Sequence, residues 1–173
     1  MKRLTALILF LYAGFSVWSL EICPEKMQAV LMVKIIPFVK EFEAPVRDST
    51  IQIGVYGNHE IAAFLEEAAK KASFRIRVKI VPKYGPLPDD LQMIYFPLGT
   101  SANTVRKLNR IAKEKKILTV CGNPDMVMDQ NITLSFHVFD EKPKILVNMD
   151  SASREGKTFS AKFLNLADVR NFQ

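Results

Sequence analysis

"TIQIGVYGNHEIAAFLEEAAKKASFRIRVKIV", residues 50–81, holds the alternation that decides the fold. Ile51, Ile53 and Val55 alternate with smaller or polar residues and stop at Gly57, the pattern of a strand closed by a turn. Asn58 then stands where a helix N-cap belongs, and Ile61, Phe64, Leu65 and Ala68 recur at helical spacing. From Phe74 the period returns to two. Phe74, Ile76, Val78 and Ile80 point one way and Arg75, Arg77 and Lys79 the other, which predicts a strand wet on one side and close to a sheet edge.

The same rhythm continues outward. "PKYGPLPDD" (82–90) is a rigid proline-rich loop, "QMIYFPL" (92–98) a buried strand, "TSANTVRKLNRIAKEKK" (100–116) a helix and "ILTVCG" (117–122) a second buried strand. Strands alternating with helices imply right-handed crossovers and a mainly parallel sheet. "ITLSFHVF" (132–139) and "KPKILVNM" (142–149) are separated by too few residues for a crossover, so they predict an antiparallel hairpin. Before the sheet, Met27, Leu31, Ile35, Phe38 and Phe42 form a helical apolar stripe, with Lys26, Lys34, Lys40 and Glu41 opposite. Pro37 should stop or kink that helix near 33–36. The fold class is therefore α/β: a largely parallel, Rossmann-like three-layer sheet flanked by helices, with a C-terminal antiparallel hairpin and an N-terminal helix.

With 173 residues and 49% apolar composition, one core is expected. Residues 1–19, "MKRLTALILFLYAGFSVWS", combine Lys2 and Arg3 with an uncharged run and small residues at Val17 and Ser19, so they read as a secretory signal peptide preceding a single domain over 20–173. A retained anchor is the alternative; lipidation at Cys23 fits poorly because Ile22 stands where a small residue belongs. In an oxidising compartment Cys23 and Cys121 form either one bridge or two separate thiols. The net charge of +6, reduced by Lys2 and Arg3 on cleavage, is too scattered for nucleic acid.

No cofactor or metal is called for: His59 and His137 stand far apart, and no dinucleotide or phosphate-loop spacing occurs. Ser160 and Lys162 invite a hydrolase reading, but such a pair needs a desolvated lysine and aimed oxyanion donors that nothing in the sequence indicates. Two surfaces remain. In the last strands, Lys144, Leu146 and Asn148 should face outward while Ile145, Val147 and Met149 fill the core, and Leu134 or Phe136 would join Leu146 in a partner-docking patch. At the carboxyl ends of the parallel strands, Gly57, Asn58, His59, Leu98, Gly99 and Thr100 mark a small-ligand site.

"NMDSASREGKTFSAKFLNLADV" (148–169) resembles the closing segment of the YfiR family of exported regulators. "AVLMVKIIPFVKEFEAP" (29–45) is similar to that family's opening helix, "IQIGVYGNHEIAAFLEE" (51–67) to its first strand and helix, and "KKILTVCGNPDMVMDQNITLSFHV" (115–138) to a turn followed by a hairpin. The likeness runs from about Met27 to Val169. It departs at Phe42-Glu43-Ala44-Pro45, where the family often has a tryptophan-proline pair, and in having only two cysteines. The resemblance implies a non-enzymatic periplasmic protein, often a homodimer, that holds an inner-membrane sensor such as a diguanylate cyclase in an inhibited state, and hence a part in cyclic di-GMP signalling.

Overall fold

The computed structural model describes residues 21–22, 24–42 and 50–170. The signal-peptide reading, Cys23 and, of the departure at Phe42-Glu43-Ala44-Pro45, the last three residues lie outside the described residues. Among those described, no helix is long and apolar enough to cross a membrane.

The strands are β1 (Glu21–Ile22), β2 (Ile51–Tyr56), β3 (Ile76–Val81), β4 (Met93–Phe96), β5 (Leu118–Cys121), β6 (Leu134–Phe139), β7 (Lys142–Asn148) and β8 (Asp168–Arg170). The helices are α1 (Glu25–Ile35), α2 (His59–Ala69), α3 (Ala102–Glu114), α4 (Asp125–Asp129), α5 (Met149–Arg154) and α6 (Ala161–Leu164). They build one sheet of order β3-β2-β4-β5-β6-β7-β8, with β1 paired to β6. β2, β3, β4, β5 and β6 run parallel, β6 and β7 form the expected antiparallel hairpin, and β8 returns parallel to β7. Asp140 and Glu141 close the hairpin, both with positive φ (49° and 59°), the twist of a type I′ turn. β3 is an edge strand, as its alternation requires.

Both faces of the sheet are covered. One carries Ile53, Val55, Met93, Tyr95, Val120 and Phe136 against α1, α2 and α6. The other carries Ile94, Phe96, Cys121 and Leu146 against α3 and α4. α1 stops at Ile35 and passes into a 3₁₀ turn, Ile36–Phe38, with Pro37 where its missing N–H is not needed. Its buried line is Gln28, Ala29, Met32, Val33 and Ile35; of the expected stripe Ile35 is in that line, Leu31, Phe38 and Phe42 pack half-buried against the core, and Met27 is 40% exposed. The turn after α1 is fastened to the segment before α6, since Val39 bridges Phe159, Lys40 N–H donates to Thr158 O at 2.9 Å and Ser160 N–H donates to Phe38 O at 2.9 Å.

Candidate functional site

The expected docking patch does not exist in the form the alternation suggested. In the hairpin register Leu134 pairs with Val147 and Phe136 with Ile145, while Ser135 pairs with Leu146 and His137 with Lys144. Directly opposed residues share a face, so Leu134 and Phe136 lie on the other side of the sheet from Lys144, Leu146 and Asn148. Leu134, Phe136 and Asn148 are fully buried and Leu146 nearly so. The cause is the second helical layer: α4 packs on β7 and encloses Leu146 with Val127. Asn148 is also in use, its Oδ1 accepting from Ser151 N at 2.9 Å to cap α5 and its Nδ2 donating to Val127 O at 3.2 Å. His137, on the same face as Leu146 and Lys144, is also buried. Lys144 alone of the five is exposed.

What the C-terminal edge does expose is different. Leu166 is 65% and Val169 37% accessible, on the segment that leads into and forms β8. Among the described residues β8 is an edge strand with no neighbour on its outer side, flanked by the Arg170–Asp168 ion pair at 3.2 Å.

The structure brings the second predicted group together. β2 feeds α2, whose Ile61 and Leu65 pack on one face, and β4 feeds α3, whose Val105 and Leu108 pack on the other. Their crossovers thus leave in opposite directions, and a crevice opens between the two carboxyl ends, the position where open α/β sheets hold ligands. Gly57, Asn58, Leu98, Gly99 and Thr100 line this cleft of about 360 Å³, joined by Tyr56, Lys83, Pro97, Ser101 and Thr104. His59, the first residue of α2, is exposed and does not line it.

Much of the cleft's polar wall is engaged locally. Asn58 Oδ1 accepts from Glu60 N (2.9 Å) and Ile61 N (3.1 Å), Thr100 Oγ1 donates to Pro97 O (2.7 Å), and Ser101 Oγ accepts from Thr104 N (3.3 Å). Gly57 has φ +58°, and a Cβ there would stand 3.0 Å from the Lys83 side chain. Glycine therefore lets strand and lysine approach. Lys83 is exposed and is the cleft's one cation among its lining residues.

Ser160 and Lys162 form no catalytic pair. Ser160 is the N-cap residue of α6 and Lys162 lies exposed in that helix's first turn, where positions two apart diverge. Cys121 is a buried thiol with no disulfide among the described residues, and burial pushes its pKa up to about 12, above the range of a reactive thiolate.

Sequence reasoning missed Glu155. Its carboxylate is fully buried, accepting from Thr119 N at 3.1 Å and from Thr119 Oγ1 at 2.5 Å, and burial pushes its pKa up to about 7. A single acidic residue after a short helix carries no sequence signal of burial; only the fold sets it beneath β5.

Residues 25–168 match the family model described as YfiR/HmsC-like. No curated protein matches the chain. Among solved structures, a conserved domain protein from Vibrio cholerae O1 biovar eltor aligns with a TM-score of 0.60 at 15% identity, over 88% of this chain and 61% of that one. The chain thus spans less than two thirds of that protein's length, and the likeness is one of fold alone.

Proposed function

The chain belongs to the YfiR/HmsC-like family, and from that premise we propose that it is a periplasmic, non-enzymatic regulator that binds the periplasmic domain of an inner-membrane signalling protein, a diguanylate cyclase, and holds it inhibited. The observation that carries this reading is the extent of the family match, residues 25–168, which takes in β2 to β7 and the first residue of β8 rather than a shared fragment. Such a regulator works by preferring one state of its partner. Moving a two-state protein from almost wholly on to almost wholly off needs a preference of about ten-thousand-fold, so the contact must read conformation and not merely adhere.

The surface that supports docking is the β8 edge: Leu166 and Val169 supply apolar area, Lys144 and Arg170 charge, and the open strand backbone hydrogen-bonding capacity. The family resemblance also carries a homodimer, which sedimentation would measure. Co-expression with a membrane diguanylate cyclase of the same organism tests the function: cyclic di-GMP falls when the chain is present and recovers with Leu166→Asp. Unchanged cyclic di-GMP in the presence of the folded chain contradicts it.

A second reading is favoured by one observation, the gathering of Gly57, Asn58, Leu98, Gly99 and Thr100 around a single cleft with Lys83 at its side. That arrangement suits a small anionic or hydroxylated ligand. A specific ligand raises the melting temperature by mass action, and Lys83→Glu removes the rise.

A further inference from the structure

α1 is more apolar than its buried face requires. After Ala29, Met32, Val33 and Ile35 are packed, Met27 and Val30 remain 40% and 39% exposed. On the side facing α2, Lys26, Val30, Val33 and Lys34 form one helical stripe, and Phe64, Glu67, Ala68 and Lys71 form its counterpart on α2. Between the stripes runs a groove of about 270 Å³. Its floor is Val30, Val33, Phe64 and Ala68.

The rim has a sign. Three lysines stand against one glutamate, and Glu67 is already bonded to Lys70 at 2.9 Å, which holds its carboxyl below the ordinary range. Lys26, Lys34 and Lys71 have no ion pair with an acidic side chain among the described residues. An apolar slot with cations at its lip matches a molecule with an apolar tail and one anionic end. Size narrows the class: at about 30 Å³ for each water-sized group, the slot takes about nine heavy atoms.

We propose that the α1–α2 groove binds a medium-chain fatty carboxylate, the tail lying on Val30, Val33, Phe64 and Ala68 and the carboxylate meeting Lys26, Lys34 and Lys71. This site is separate from the β8 edge and from the cleft beside Lys83.

Titration calorimetry of the purified chain with sodium decanoate, kept below its micelle-forming concentration, tests this. One saturable site is expected, with decanol and decyltrimethylammonium binding at least about tenfold more weakly because neither offers the lysines an anion. Val30→Asp abolishes binding. Lys34→Glu with Lys71→Glu weakens it by about tenfold or more, and Lys34→Arg does not. The exposure of Val30, Lys34 and Lys71 lets the free variants keep the parent melting temperature, which shows that lost binding is not lost folding. The proposal is overturned if decanoate does not saturate, if the cationic or neutral analogue binds equally well, if the groove variants bind as the parent does, or if the chain ignores decanoate and sediments with phosphatidylglycerol vesicles.

Discussion

Thr119 Oγ1 donates to Glu155 Oε1 across 2.5 Å while the Thr119 amide donates to the other carboxylate oxygen at 3.1 Å, so one residue of β5 clamps both oxygens of a fully buried acid. Thr119 Oγ1 in turn accepts from Thr133 N at 3.1 Å, tying the clamp to the start of β6. Lys113 and Lys157, themselves held below the ordinary lysine range by burial, are the cations that act on this acid.

Burial raises the Glu155 pKa from 4.5 to about 7. Between those values the folded chain keeps a proton that the unfolded chain has lost, so stability falls as pH rises through that window and levels off above it. Glu155→Gln, neutral at every pH, removes this fall. Urea unfolding at pH 5 and pH 8 checks it: the variant gains on the parent as pH rises.

His137 works in the opposite direction. Burial lowers its pKa, Lys144 and Arg170 add to the effect, and Asp168 opposes them. Its Nδ1 is buried without a hydrogen-bond partner among the described residues. The folded chain therefore resists protonation, and stability, complete above the unfolded histidine value of about 6.5, drains away as pH falls toward the lowered one. His137→Gln flattens the acid limb of the same unfolding series.

Phe163 joins the turn after α1 to the segment that leads into α6. It is 1% exposed and stacks on Phe38 at 5.8 Å and on Phe159 at 5.0 Å between centroids. Phe163→Ala should cost about 3–5 kcal/mol, the usual range for emptying a buried aromatic site. A lowered urea midpoint with an unchanged slope is the expected result.

Gly122 is required for space. A Cβ there would meet Tyr95 Oη at 2.7 Å and the backbone nitrogen of Leu98 at 2.9 Å, and backbone cannot swing aside. Gly122→Ala should destabilise by about 1–3 kcal/mol, the range for overpacking. Thermal unfolding measures it.

The parallel core was legible because β2 alternates and ends at Gly57 while β4 and β5 are short apolar runs bounded by turn residues, and the hairpin because few residues separate β6 from β7. The faces of that hairpin were not. Alternation such as Lys144-Ile145-Leu146-Val147 identifies two sides but not how many helical layers cover them, and here α4 buries the side that reads as wet. β1 and β8 escaped notice because two or three polar-flanked residues at an edge have no periodicity to detect. α1 misled in a third way: with apolar residues on most of its circumference, Met27, Leu31 and Ile35 fit a stripe as well as Gln28, Met32 and Ile35 do, and the Tyr95 hydroxyl, donating to Gln28 Oε1 at 2.7 Å, gives the buried glutamine a partner. The cleft was found because strand ends and glycines are visible in sequence, whereas Lys83 joined it from a loop.

The central claim, recognition of a membrane cyclase through the β8 edge, is tested most directly by titrating the purified chain against the purified periplasmic domains of the membrane diguanylate cyclases of the same organism. A saturable complex is expected, weakened about tenfold or more by Leu166→Asp, as for an apolar contact replaced by a desolvated charge. Absence of a complex with folded components, or full affinity in the Leu166→Asp chain, would contradict it.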